Sequence, residues 1–254
     1  MTIKVIAVNT FKEAVRDRIL YLLLFFAAAA ILLSRVLAML TVGDRMKIVK
    51  DVGLASISVF GALMAILIGT GLVYKEIEKR TIFTLISKPI RRYEFLLGKY
   101  FGLILTLAVM MASMGLIFLG LVLVETGVFE GRLLLALVYV FLELLLITAV
   151  AILFSCFSTP ILSSLFSLGF YLIGHFSWSL EALAKKVQPG LGRTLLGILS
   201  AVLPDLENFN IRTEVVHALP LPAAHLAYAA AYGILYTAFV LTLAVLIFRR
   251  RDFV

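Results

Sequence analysis

Charged residues make up only 15% of this 254-residue chain, there are three histidines and one cysteine, and the longest charged interruption is itself mixed with apolar side chains. Each shortage excludes something. So few charges, beside 63% hydrophobic residues and a mean hydropathy of +1.10, exclude the usual make-up of a soluble domain and point to an integral membrane protein. The lone Cys156, with no neighbouring Cys or His pair, excludes an intrachain disulfide and a zinc site. The lack of any Met, His or Cys cluster argues against metal handling, so no metal ligand is expected. No G-x-x-x-x-G-K-[ST] phosphate loop occurs, so ATP is not handled by this chain. No nucleophile motif surrounds a serine and no carboxylate cluster suggests group transfer, so no catalytic residue is expected. Internal repeats and low-complexity segments are missing as well, and the chain reads as one domain over 1–254.

What is present is apolar sequence in long runs. Six of them, 19–42, 53–74, 100–124, 133–155, 160–180 and 223–248, lie near the ~20 residues needed to cross a bilayer. The fold class expected is all-α, a polytopic membrane protein with six transmembrane helices. The first run follows Lys4, Lys12, Arg16 and Arg18 as a signal peptide would, but its length exceeds the ~7 to 15 residues of a signal core, so it is expected to remain as a span. The connection 156–159 is so short that the fourth and fifth spans form a tight hairpin.

The formal charge of +8 is not spread over one soluble face, as nucleic-acid binding requires, but gathers at the ends of the apolar runs. No nucleic-acid partner is expected. Fourteen Lys or Arg fall on one side of the alternating spans, in the N-terminal segment, in 75–99 and at Arg249, Arg250 and Arg251. Eight fall on the other, at Arg45, Lys47, Lys50, Arg132, Lys185, Lys186, Arg193 and Arg212. By the positive-inside rule both termini are cytoplasmic.

Segment 1–18 carries Ile3, Ile6, Ala7, Phe11, Ala14 and Val15 at three-and-four spacing, with Lys4, Lys12, Glu13, Arg16 and Asp17 on the other face. It reads either as an amphipathic helix lying in the membrane interface against lipid headgroups or as a charged lead-in to the first span. Segment 181–222 is the one sizeable loop on the far side. Its apolar stretch 191–203 is too short to span and is either re-entrant or part of a plain cap.

Segment 75–99 between the second and third spans holds seven Lys or Arg and three Glu among Ile77, Ile82, Phe83, Leu85, Ile86 and Phe95. Pro89 disfavours helical geometry at Lys88, giving a proline-bent hairpin. Its exposed apolar residues suit a docking surface, while its charge alone suits a topology signal.

Ionisable residues within spans are costly and mark function by default. Counting ~1.5 Å per residue, Arg35, Glu143 and His175 lie at roughly 10, 15 and 8 Å below the far surface. They are the expected substrate path, Arg35 and Glu143 forming an ion pair with His175 nearby; a purely structural pair, or an Arg35 reaching outward, is the alternative. Small residues recur every four positions at Ala30, Ser34 and Ala38 and at Ser163 and Ser167, faces suited to close helix contact either in a dimer interface or within the chain.

The run Glu76, Glu78, Arg80, Thr81, Leu85, Ser87, Lys88, Pro89, Arg92, Phe95, Leu96, Leu97, Gly98, Lys99 resembles the first cytoplasmic loop of type-2 ATP-binding-cassette permeases, the exporter branch. The amphipathic start, six spans, large last external loop and basic tail are similar too. The resemblance implies a transmembrane permease of an ATP-driven exporter, moving its substrate by alternating access. It implies a coupling hairpin that docks on a separate ABC ATPase, with Glu76, Glu78, Arg80, Phe83, Leu85, Pro89, Arg91 and Arg92 as contacts. It implies two copies of that ATPase, which binds ATP and Mg, a homodimer of the permease, and residence in a bacterial inner membrane. The function class set against it is a membrane-embedded enzyme or assembly factor without transport.

Overall fold

The computed structural model describes residues 2–40, 43–78, 91–176 and 203–250, the side chains of 72–78 and 250 excepted. The described residues form helices and no strands. In chain order they are α1 (Thr2–Val15), α2 (Arg18–Met39), α3 (Arg45–Glu78), α4 (Arg92–Thr126), α5 (Gly131–Ser155), α6 (Pro160–His175), a 3-10 turn (Leu206–Phe209), α7 (Arg212–Val216) and α8 (Ala223–Arg250). Five of these, α2, α3, α4, α5 and α8, are long and apolar enough to cross a membrane, and α6 is a shorter apolar helix of 16 residues. The protein is therefore an all-α, multi-pass membrane protein; the expected runs 53–74, 100–124, 133–155 and 223–248 each lie inside one helix, while the helices in 19–42 and 160–180 are described only to Met39 and His175.

Burial sorts the helices into inner and outer. The most apolar window of α5 is 67% buried, against 28% for α2 and 33% for α8, so α5 is the axis around which α3, α4, α6 and α8 pack. Its stretch from Leu144 through Ile152 is buried on almost every side, as a helix apolar all round must be. By contrast α2 buries one stripe, Leu20, Leu23, Ala27, Ile31, Ser34 and Ala38, against α3, and turns Tyr21, Leu22, Phe25, Phe26 and Leu33 outward.

Two helices overrun their apolar runs. Helix α3 has 34 residues and α4 has 35, about 50 Å each at ~1.5 Å per residue, against a hydrocarbon core of ~30 Å. The surplus of α4 is Arg92 to Lys99, and α1 lies along it. A Cβ on Gly98 would sit 2.7 Å from Ile6, and one on Gly102 would sit 2.6 Å from the Ala7 carbonyl oxygen. Glycine four apart thus lets two backbones approach as no larger residue would. The apolar face of α1 is satisfied by α4, with Thr10 and Ala14 fully buried, while Lys4, Lys12 and Arg16 stay exposed.

The C-terminal end of α8 meets the same place. Arg92 donates from Nη1 to the carbonyls of Phe248 at 3.3 Å and Arg249 at 2.7 Å, a cation on the negative end of a helix. Phe95 stacks on Phe248 with ring centroids 5.9 Å apart. Helix α1, the start of α4 and the end of α8 are thereby gathered at one end of the bundle, called here the terminal end.

Candidate functional site

The opposite end is built differently. Residues 203–222 fold down across it: Leu206 packs on Gly174 near the end of α6, and Phe209 meets the Tyr232 ring of α8 at 6.3 Å. Short-range polar contacts hold that fold. Asp205 caps the 3-10 turn by accepting from Glu207 N at 3.2 Å, its own N–H donates to the Tyr232 hydroxyl at 3.0 Å, and the Asn210 amide donates to Glu207 Oε1 at 2.9 Å. Ion pairs then tie the helix ends together: Lys50 to Glu130 at 2.5 Å, Arg212 Nε to Asp51 at 2.9 Å, and Arg35 to Glu125 at 2.6 Å.

Beneath this cover lies a cavity of about 130 Å³. Leu54, Ala55, Ser58 and Val59 of α3 form one wall, Ala136, Val140 and Glu143 of α5 the floor, and Tyr171 and His175 of α6 the other wall. Residues 209–212 close the top. Glu143 is 2% exposed, and its Oε1 has no hydrogen-bond partner. The imidazole Nε2 of His175 stands 3.6 Å from that oxygen, beyond hydrogen-bond length.

The orientation of His175 follows from its other nitrogen. Nδ1 faces the Tyr171 carbonyl at 3.3 Å, and since a carbonyl only accepts, Nδ1 carries the hydrogen. A neutral ring then presents a lone pair at Nε2 toward a carboxyl oxygen. The Tyr171 ring packs on the imidazole with centroids 4.6 Å apart, and its hydroxyl shares a 3.4 Å contact with Ser58. The same α3 to α6 seam carries a second polar contact toward the terminal end, Thr70 to Ser164 at 2.7 Å.

Of the residues expected on the substrate path, Glu143 and His175 come together and Arg35 does not join them. Arg35 lies on the outward face of α2, 54% exposed, paired with Glu125, so the expected ion pair with Glu143 is replaced by one with a different carboxylate. Depth along a span fixes height and not direction, and the two side chains point to different sides of the bundle.

The small-residue stripes are used inside the chain. Ser34, Ala38, Ser163 and Ser167 are buried within the single chain and Ala30 is half-buried, so these faces pack α2 and α6 on their neighbours.

Of the expected ATPase contacts, Arg80, Phe83, Leu85 and Pro89 lie outside the described residues, and Glu76 and Glu78 fall in the last turns of α3. Arg91 occupies the N-cap position of α4 and is exposed, its N–H donating to Glu94 Oε2 at 3.1 Å. Arg92 is already committed to the carbonyls of α8. The stretch 191–203 lies outside the described residues apart from its last position.

Sequence reasoning did not single out Ser58, Tyr171 or Arg212 for this site. One signal for Tyr171 was present: it lies four residues from both Ser167 and His175, on one face of α6.

Comparison with curated proteins gives no match. The profile of the family described as ABC-2 family transporter protein does match, over residues 5–253. That range takes in all but the first three residues of α1 and every later helix through α8, and the chain belongs to the ABC-2 transporter family.

Proposed function

We propose that this chain is the permease of an ATP-driven exporter in a bacterial inner membrane, working as a homodimer with two copies of a cytoplasmic ABC ATPase. The family match across 5–253 carries the reading. ATP and Mg belong to the partner subunit. The terminal end faces the cytoplasm, and closure of the ATPase pair moves segment 75–99, whose two ends are α3 and the overlong start of α4. Glu76, Glu78, Arg80, Phe83, Leu85, Pro89 and Arg91 are its contacts. Arg92 transmits the motion rather than touching the partner, because its guanidinium holds α8. The spans then alternate between inward-facing and outward-facing arrangements, with Glu143 and His175 at the outward end of the route.

Supporting this reading, α4 begins about two turns before its apolar run, and α1, α4 and α8 are locked together there, as a lever needs a rigid base. In the dimer, the contact falls on the outward faces of α2 and α6, the small-residue stripes being occupied.

Coexpression with the ATPase subunit encoded beside it tests the proposal. The two chains copurify, and the permease changes ATPase turnover. Charge reversal at Glu78 or Arg80 abolishes the association while the spans remain inserted. A permease that always purifies alone and leaves turnover unaltered would refute the reading.

A further inference from the structure

We infer that the cavity at the outward end receives a protonated amine, the ammonium group seated between Glu143 and His175. The inference deepens the transport reading by naming a ligand chemistry, and rests on that reading only for the ligand's being cargo.

The argument begins with two acceptors facing each other. Glu143 Oε1 is buried without a hydrogen-bond partner, and 3.6 Å away a neutral His175 presents only a lone pair, its hydrogen being held on Nδ1 by the Tyr171 carbonyl. A buried acceptor left unpaired is expensive, and two of them aimed at one space call for a donor with more than one N–H. An ammonium group has three, and its charge answers the carboxylate. The Ser58 hydroxyl, on the facing wall, is shared with the Glu143 carboxyl and the Tyr171 hydroxyl, and its remaining lone pair is a further acceptor.

The surroundings have the right sign. Glu207 and Asp205 stand near the cavity, and the cation nearest the mouth, Arg212, is already paired with Asp51 at 2.9 Å. In a chain with a formal charge of +8, the eight Lys and Arg on this side are matched by eight Asp and Glu, so the excess positive charge lies at the other end. Size and donor set narrow the class. A cavity of about 130 Å³ approaches the ~150 Å³ that holds one benzene, so it takes an ammonium with a short alkyl arm lying along Leu54, Val59 and Val140. No group of three or more His, Cys, Asp or Glu among the described residues is arranged to hold a metal ion, and a dehydrated divalent cation would lack ligands here.

The test uses the full chain in nanodiscs of phosphatidylcholine and phosphatidylglycerol, with n-propylammonium as probe. Its thermal midpoint rises with propylammonium concentration, and sodium, 1-propanol and propionate at matched concentration do not reproduce the rise. Glu143→Gln weakens the apparent Kd at least tenfold without lowering the unliganded midpoint. Ser58→Ala weakens it a few fold, and serves alone should the Glu143 variant not fold. Equal stabilisation by sodium, by the neutral alcohol or by the carboxylate overturns the proposal, as does an unchanged Kd in both variants.

A second set of nanodiscs containing phosphatidylethanolamine separates the sources of the amine. Loss of the propylammonium response there identifies a lipid headgroup as occupant, and persistence identifies a free amine; both keep the ammonium site. Binding in the absence of any ATPase also separates this inference from the transport reading, which fails or stands on copurification.

Discussion

The two ends of this bundle solve opposite problems. At the terminal end, α1 and α8 each close on α4, through Gly98 and Gly102 on one side and the Phe95 and Phe248 stack and the Arg92 clasp on the other, and backbone meets side chain with no room left. At the other end a folded loop roofs a cavity that keeps a buried carboxyl oxygen unpaired. Tight packing stabilises and gives little freedom, whereas an unsatisfied buried group costs stability and is retained where a ligand completes it. The difference separates a joint from a receptacle.

Four substitutions put that contrast under strain, in descending size. Gly102→Leu places a side chain against the Ala7 carbonyl and Thr10, neither of which has room to retreat, and lowers stability by about 3 kcal/mol through overpacking. The measurement is the thermal midpoint in nanodiscs together with the yield of inserted protein; a wild-type midpoint would mean that α1 is not a fixed part of the joint. Arg92→Ala removes two hydrogen bonds to the end of α8 and costs about 1.5 kcal/mol, with Arg92→Lys recovering part of it. Faster hydrogen exchange confined to the last turn of α8 identifies the loss.

At the receptacle the sign reverses. Glu143→Gln removes a buried ionisable group that has no hydrogen-bond partner at Oε1, and stability is held or raised by about 1 kcal/mol in the unliganded protein, read from denaturation midpoints. A loss as large as that of Gly102→Leu would show that Glu143 is a structural keystone and erase the contrast. Smallest is Arg35→Gln, which breaks a pair whose arginine is mostly exposed and shifts stability by less than about 0.5 kcal/mol, checked beside Glu125→Gln and the double variant.

Much of this molecule was legible in its sequence because lipid imposes a simple rule: the backbone must satisfy itself, so spans are long apolar helices, and run lengths point to five of them and to the shorter α6. The helix ends were harder to read. Helix α3 begins at Arg45, eight residues before its apolar run, because Lys50 meets Glu130 and Asp51 meets Arg212, partners far away in sequence that no local pattern reveals. Depth counting placed Glu143 and His175 in the same half, and they do meet. It also placed Arg35 there, on the wrong side of the bundle, since a distance from the surface carries no azimuth. The stripes of Ala30, Ser34, Ala38, Ser163 and Ser167 announced close packing without naming the partner. The Asn210 and Arg212 wall was invisible for another reason: a loop folded back as a roof leaves no periodic trace.

The clasp between Arg92 and the end of α8 has a consequence in leverage. Helix α8 is a rod of 28 residues gripped at one tip, about 42 Å long at ~1.5 Å per residue, so a tilt of roughly 5° at the grip sweeps its far tip by about 4 Å. Tyr232 rides on the outer part of that rod, and its hydroxyl holds the backbone of Asp205. A few degrees of rotation imposed at the start of α4 therefore arrives at Tyr232, about 26 Å from the grip at ~1.5 Å per residue, as a displacement of about 2 Å, enough to stretch the 3.0 Å hydrogen bond to Asp205 past hydrogen-bond length.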